Sequence, residues 1–279
     1  MGTRSEEGCI ALRYLVTGAS SGIGRATALR LAGRGHEVMA GVRHLGDAPT
    51  HPHVRPLLLD VTDAAQLAAA AKEVGRLDGL VNNAGVTYAG PLEHLPLERL
   101  REQLEINVVG LVAATQAFLP AIRAGRGRIV MMSSAAGRVT IPLHGAYSAS
   151  KQAVEAVADA LRQELRPWRL PVIVITPGTF QSRNRASTEA AARADRAAAH
   201  EAAESHYGRA MDALFMSNRK TEAAAGDPDR VAAVIERALT TARPRTRYLV
   251  GSRALITTAR LLPARTMDGL LIRSLGLPF

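Results

Sequence analysis

The stretch TGASSGIG (residues 17–24) decides how this chain folds. It joins the apolar run LRYLVTG (12–18) to the Ala- and Leu-rich stretch IGRATALRLAGRG (23–35), so a strand passes through a turn into a helix closed by Gly33 or Gly35. Gly18, Gly22 and Gly24 let the backbone turn tightly and approach a bound group closely. The N-terminus of the helix points free N–H groups at the same place, which suits a pyrophosphate. A glycine cluster by itself makes only a turn. After a strand, before a helix and at the start of an α/β chain, it is a dinucleotide signal.

Outward from that turn the same alternation repeats. HEVMAGVR (36–43), RPLLLDV (55–61), LDGLVNNAG (77–85), GRIVMMSS (127–134), PVIVITPG (171–178) and RYLVG (247–251) read as strands. Helices are predicted over 63–75, with Asp63 as N-cap and Gly75 as terminator, over 97–123, and from Tyr147 to Arg166, where Pro167 stops the chain. The strands are nearly continuous apolar runs, as expected when helices cover both faces. The prediction is an α/β fold: one Rossmann domain over 1–279, a doubly wound parallel sheet of six to seven strands. Residues 179–226 carry no strand and are too many for a bare loop. Within them STEAAARADRAAAHEAAESHYGRAMDALF (187–215) reads as one or two helices, a lid over the C-terminal strand ends.

The composition narrows the class. Of the 279 residues 47% are hydrophobic, enough for one sizeable core. The single cysteine, Cys9, has no intrachain partner, which fits a reducing cytosol and a cytoplasmic protein. MGTRSEEG offers no apolar signal region, Glu6 breaks the myristoylation pattern, and no uninterrupted apolar run has bilayer length. The net charge is +10, and the last 39 residues carry seven arginines against Asp268, or +6 of it. Only Tyr248 and Phe279 could stack bases there, so nucleic acid is not the expected partner. The basic tail (252–279) is expected to pack on the domain or at a subunit interface in preference to a membrane surface, because Pro263 interrupts its amphipathic pattern.

The second strand selects the cofactor. An NAD site offers an acid near its end to accept the ribose hydroxyls. Here Gly41 and Val42 occupy that place and Arg43 follows, so no carboxylate repels a 2′-phosphate and a guanidinium fork is available to bind one. Arg25, just after the glycine turn, is a second cation nearby. NADP(H) is therefore expected over NAD(H). No metal site is expected: the histidines show no ligand spacing, His51 and His53 in HPH lack carboxylate or cysteine neighbours, and His144 reads as a loop residue.

The segment GAYSASK (145–151) sets Tyr147 and Lys151 one helical turn apart. Alone, that is a packed aromatic and a solvated lysine. Taken with NNAG (82–85), INVVG (106–110), SS (133–134), PG (177–178) and the glycine turn, in this order and spacing, it resembles the classical short-chain dehydrogenases/reductases over residues 12–180, and more loosely to 251. The resemblance implies Tyr147 as general acid/base, Lys151 as its partner, Ser134 as the hydroxyl that polarises the substrate oxygen, and Asn107 as holder of a proton-relay water. It implies cofactor contacts from Gly18, Ser20, Ser21, Gly22, Ile23 and Gly24, from Asp60 and Val61 at the adenine, from Asn83, Ala84 and Gly85, and from Pro177 and Gly178 beside the nicotinamide. Tyr147 and Lys151 also border the cofactor, and Ser182 is a weaker match for a carboxamide contact.

The physical reason for the trio is plain. Hydride transfer to a carbonyl builds charge on oxygen, and a tyrosine of pKa about 10 is a poor acid/base near neutrality until an ammonium stabilises its phenolate. AGPLEHLPLERLREQLEINVVG (89–110) resembles the hydroxysteroid and retinol dehydrogenase branch. With the apolar Val139, Ile141, Leu143, Leu214, Phe215 and Met216, it implies a lipophilic alcohol, ketone or aldehyde as substrate. The family also implies a homodimer or homotetramer through the helices around 97–123 and 147–166. The alternative is a non-catalytic NADP(H)-sensing regulator, which would be expected to have lost Tyr147 or Lys151.

Overall fold

A computed structural model describes residues 11–181, 183–198 and 201–278. Cys9 and Ser182 lie outside the described residues. Seven strands form one sheet: β1 (Arg13–Thr17), β2 (Glu37–Val42), β3 (Val54–Leu58), β4 (Gly79–Asn82), β5 (Arg128–Met132), β6 (Val172–Pro177) and β7 (Arg247–Val250). All pairings are parallel, in the order β3-β2-β1-β4-β5-β6-β7. The order reverses between β1 and β4, which leaves a crevice at their C-terminal ends where open α/β sheets bind ligands.

Helices cover both faces, which is why the inner strands β1, β4, β5 and β6 are almost wholly buried, whereas the edge strands β3 and β7 are partly exposed. On one face lie α1 (Gly22–Gly33) and, from later in the chain, a helix over Pro228–Thr240; Ala28 and Leu31 meet Val16, Val81, Val231 and Ile235 there. On the other, α2 (Ala64–Val74) and the long helical run Leu97–Gly125 bury Leu67, Val74, Leu111 and Phe118. Local chemistry sets the ends. Asp63 caps α2 by accepting from the Ala65 and Gln66 amides, and Gly75 ends it at φ +67.

The long run has three parts: α3 (Leu97–Leu104), a wider π-turn over Glu105–Val109, and α4 (Gly110–Gly125). Leu97–Gly125 contains a window of mean hydropathy 1.4, long and apolar enough by composition to cross a membrane. That qualifies the reading from uninterrupted runs. Its apolar side, with Ala114, Phe118 and Ile122, packs inside the domain beside α2 and the sheet, so the core accounts for its composition. β3 is shorter than the predicted 55–61: Leu59 makes the last bond to Val42 O, then the Asp60 amide turns to Gln66 Oε1. Asp60 and Val61 therefore sit in the loop beyond the strand. Helix α5 (Gly145–Glu164) likewise stops before Arg166, with a short turn through Pro167.

The segment after β6 leaves and returns through a single parallel bridge, Phe180 to Gly226. Between them stand α6 (Arg183–Ala197) and α7 (Glu201–Ala223), the second of the two outcomes allowed by the sequence. They share a small apolar cluster of their own: Ala192, Ala210, Met211, Leu214 and Phe215 with Ala89, Leu143 and Leu277. The chain then forms α8 (Pro228–Thr240), β7, α9 (Arg253–Leu261) and α10 (Ala264–Ser274). The basic tail packs: Ile256, Met267 and Leu271 bury against Val139, and Leu277 joins the cluster under the lid.

Candidate active site

The glycine turn is built by close approach. Gly18 has φ +65, and a Cβ there would lie 2.8 Å from Ala84 Cα; one on Gly24 would collide with the Gly18 carbonyl and the Asn83 amide. Thr17 Oγ1 accepts from the Asn83 and Ala84 amides at 3.0 Å, and Asn83 Nδ2 donates to the Thr17 and Gly18 carbonyls at 3.0 Å. NNAG thus locks the end of β4 to the turn after β1. Ser21 stands at the N-cap of α1 without a side-chain cap bond, so the first amides of the helix, from Gly22, Ile23 and Gly24, keep their hydrogens for an anion. Ser20 is half-buried beside them. A cleft of about 610 Å³ opens here between Gly22, Arg25 and Ala26 on one side and Gln181 and Asp227 on the other. This backbone cradle fits a dinucleotide.

Arg43 is exposed at the C-terminal end of β2, two residues past Gly41, which pairs with Thr17. Gly41 itself is buried, and a Cβ there would lie 2.9 Å from Leu59 Cδ2 and 3.2 Å from Val16 O, so a larger side chain would have to displace that of Leu59. Asp60 is half-buried and its Oδ1 accepts from the Thr62 amide and hydroxyl. Val61 is buried against Gly110 of α4. Pro177 and Gly178 end β6, where the Gly178 amide donates to Val250 O at 2.8 Å.

β5 and α5 bring the reacting side chains together. Lys151 is buried, its Nζ donates to the Met132 carbonyl at 2.9 Å, and it lies 5.8 Å from the centre of the Tyr147 ring. Burial pushes its pKa down to about 8. Two residues beyond Met132, Ser134 leaves the strand in extended geometry and its Oγ accepts from the Ala136 amide at 3.2 Å. That bond uses a lone pair and leaves the hydroxyl proton available. Ser133 points elsewhere. Its Oγ is buried beside Gly137, without a hydrogen-bond partner among the described residues.

Asn107, in the π-turn, is fully buried. Its Oδ1 accepts from the Val86 amide at 2.8 Å, and its Nδ2 donates to Val86 O and to Ser150 Oγ, which in turn donates to Tyr147 O. Gly85 lies below it, where an added Cβ would come within 3.0 Å of Asn107 Oδ1 and 3.7 Å of Lys151 Nζ and press on the asparagine. The π-turn thus connects NNAG to the helix of Tyr147 and Lys151, a common placement for such a turn. Gln103, one turn earlier and also fully buried, was not singled out from sequence; it donates to Val86 O and accepts from the Tyr88 amide. Glu155, one turn past Lys151, was missed for the same reason. It is buried and paired with Arg138 and Arg247, tying the Ser134 loop and β7 to α5. Both are ordinary helix polar residues in sequence, and only long-range packing reveals them.

Two expectations change here. Leu143, Leu214 and Phe215 are buried in the cluster under the lid, Val139 packs on the tail, and Met216 is 61% exposed, so packing accounts for all but Met216 and these side chains do not argue for a lipophilic substrate. The histidines, ungrouped in the sequence reading, do group: Glu93, His94 and His206 converge. His94 and His206 are 112 positions apart, beyond any local spacing rule.

A reversed parallel sheet with a glycine turn at its switch point defines a Rossmann-type nucleotide-binding protein. The chain belongs to the short chain dehydrogenase family, an oxidoreductase family, whose pattern matches residues 13–193. It is 34% identical over 95% of its length, and 98% of the relative's, to an NADPH-dependent 3-dehydrocapnine reductase of Ornithobacterium rhinotracheale. It is 35% identical to mouse retinol dehydrogenase 5, over 92% of this chain and 86% of that protein. A solved short chain dehydrogenase of Burkholderia cenocepacia, in complex with NADP, is 26% identical with a TM-score of 0.74, covering 96% of this chain and 98% of that one.

Proposed function

We propose that this chain is an NADP(H)-dependent oxidoreductase that reduces the carbonyl of a lipophilic small molecule, with Tyr147 as proton donor. The observation that carries the reading is the buried Lys151, held by Met132 O at the end of β5 with its ammonium 5.8 Å from the Tyr147 ring centre. An ammonium has three donors and Met132 O uses one. The other two would remain to stabilise a phenolate at Tyr147. Burying a lysine that has no ion pair among the described residues is costly, which supports a catalytic task for it.

Bound NADPH would supply the hydride. The chain's residues do the rest. The α1 amides and the Gly18 cradle would hold the pyrophosphate, and Arg43 the 2′-phosphate. Ser134 would donate to the substrate oxygen while still accepting from Ala136, fixing the carbonyl before charge develops. Tyr147 would give its proton to that oxygen, and Lys151 would stabilise the phenolate left behind. Asn107 and Gln103 would hold the Val86–Tyr88 loop at the rim. Two relatives support the cofactor and the substrate class: one is NADPH-dependent by name, and one is a retinol dehydrogenase.

The test is NADPH oxidation with a panel of long-chain and polycyclic ketones and aldehydes. Wild type should turn over at least one of them, and Tyr147→Phe should lose about 10²–10⁴-fold in rate while binding NADPH within about twofold of wild type. NADPH binding without turnover of any carbonyl would instead favour a nucleotide-sensing regulator.

A further inference from the structure

The mechanism uses none of the eight histidines, yet two of them meet under the lid. Glu93 and His94 lie in the loop that follows β4, and His206 lies on α7. One ligand-competent atom from each falls within 4.8 Å of the other two. The group is partly prepared for a ligand. His94 Nε2 is buried with no hydrogen-bond partner among the described residues, although an imidazole nitrogen shielded from water ordinarily finds one. Tyr207, the neighbour of His206, donates its hydroxyl to Glu93 Oε2 at 2.8 Å, and its ring stands edge-on to His94 at 5.6 Å between centres. One residue therefore orients both the carboxylate and an imidazole, the kind of outer support that metal ligands receive.

We propose that Glu93, His94 and His206 bind a zinc-class divalent transition metal, which fastens the lid helix α7 to the core loop. The donor set selects the class. Two imidazole nitrogens and one carboxylate oxygen suit Zn²⁺, which takes three protein ligands and a water in tetrahedral array. Mg²⁺ and Ca²⁺ want six or more oxygens and are poorly served here. Tetrahedral zinc at 2.0–2.1 Å sets ligand atoms about 3.4 Å apart, so the trio must close slightly, which the exposed Glu93 and His206 can do. The pair His51 and His53 is a natural comparison. Its rings are 5.7 Å apart, but His51 Nδ1 already accepts from the His53 amide, and no third ligand is grouped with it among the described residues.

The position gives the metal a consequence. In the same loop the Gly90 amide donates to Leu143 O at 2.8 Å, and Leu143 leads directly into the helix of Tyr147. A metal joining α7 to this loop would tie lid opening to the segment beside the reacting groups. The site would be loaded or emptied independently of the nucleotide.

The experiment uses the full chain without a histidine tag, stripped with chelator and titrated with Zn²⁺ against a colorimetric zinc indicator. One Zn²⁺ per chain should bind to wild type. The double variant His94→Ala/His206→Ala should lose about a hundredfold or more in affinity, and Glu93→Gln about tenfold, on the scale seen for tuned metal sites. His51→Ala should bind as wild type does. Amide exchange in α7 should slow on adding Zn²⁺ to wild type and to His51→Ala, but not to the double variant. No stoichiometric binding, binding unchanged in the double variant, or binding lost in His51→Ala would each overturn the proposal. Should the double variant fail to fold, full zinc affinity in Glu93→Gln would overturn it alone.

Discussion

The half of the sheet around the glycine turn and the lid above it are held by different forces. Around β1 and β4 the contacts close on the backbone: Gly18 on Ala84, Gly24 under the Gly18 carbonyl, and the Asn83 side chain clasping two carbonyls. In the lid, beside one small apolar cluster, side-chain contacts dominate: the hydrogen bonds of Thr188 to Thr87 O and of Tyr207 to Glu93, and several ion pairs. Arg196 bonds Glu204 and Asp212, and Arg99 reaches across to Asp195. The first region tolerates almost no change of shape. The second adds no strand to the sheet: its ends meet in one backbone bridge, and its other ties to the core are side-chain contacts. That contrast fits the proposed division between a rigid floor for the nucleotide and a cover for the second reactant.

The largest effect should come from the rigid side. Lys151→Met should lower turnover about 10³-fold, within the range for proton-transfer groups, without destabilising the fold at pH 7. Burial lowers the lysine's pKa to about 8, so the folded chain sheds this proton before the unfolded chain does. Between about pH 8 and the unfolded value of about 10.4, the unfolded state binds more protons, and this group makes stability rise with pH. Below about pH 8 the buried ammonium is a full penalty in the wild type, which methionine removes. Urea midpoints should therefore show the variant equal or more stable at pH 7, with the gap closing toward about pH 10. A clearly less stable variant at pH 7 would mean that the bond to Met132 O outweighs desolvation. The same titration bears on activity: carbonyl reduction should fall as pH rises through about 8, as the ammonium is lost.

Next in size is the floor itself. Gly18→Ala forces a left-handed conformation on alanine and drives its Cβ into Ala84, and should cost about 1–3 kcal/mol along with most of the NADPH affinity. Gly33→Ala is the matched comparison, since nothing lies within 4 Å of a Cβ there. It should be neutral or slightly stabilising by thermal melt. Equal losses in both would show that the turn is not a close-approach site.

How far each region could be read in advance follows the same division. The turn, the strands and the pair Tyr147 and Lys151 obey short-range rules: glycine before a helix, apolar runs, a four-residue helical step. Ser134 could be separated from Ser133 only by its distance to Tyr147, and the structure gives those two hydroxyls different surroundings. The lid's length and helicity were legible, but the use of its apolar residues was not. Leu214 and Phe215 look the same in sequence whether they meet a substrate or Ala89 and Leu143. Gln103, Glu155 and the Glu93–His94–His206 group depend on contacts between distant elements, and no local period encodes those.

Arg43 stands on the border between the two regimes, at the end of a rigid strand but exposed. Arg43→Asp should move the ratio of NADPH to NADH use by about tenfold or more toward NADH, the scale of one charge-assisted hydrogen bond. The comparison of kcat/KM for the two cofactors reads it directly. An unchanged ratio would transfer the 2′-phosphate to another cation, with Arg25 the first candidate.

The smallest effect should come from the lid. Arg196→Ala removes contacts to Glu204 and Asp212 at 2.6–2.7 Å, and those contacts hold its guanidinium charged well beyond the usual arginine range. Yet both acids are more than half exposed, so solvent screens the pairs and they should add little to global stability. The melting temperature should barely move. What should change is the balance between closed and open lid: KM for the carbonyl should rise a few-fold while kcat holds, and wild type in about 1 M salt, where screening reaches about 3 Å, should approach the variant. A fall in kcat with KM unchanged would place Arg196 with the rigid floor and erase the distinction between the two regions. A salt-insensitive KM in wild type would mean that the apolar cluster around Phe215, and not the ion pairs, keeps the lid closed.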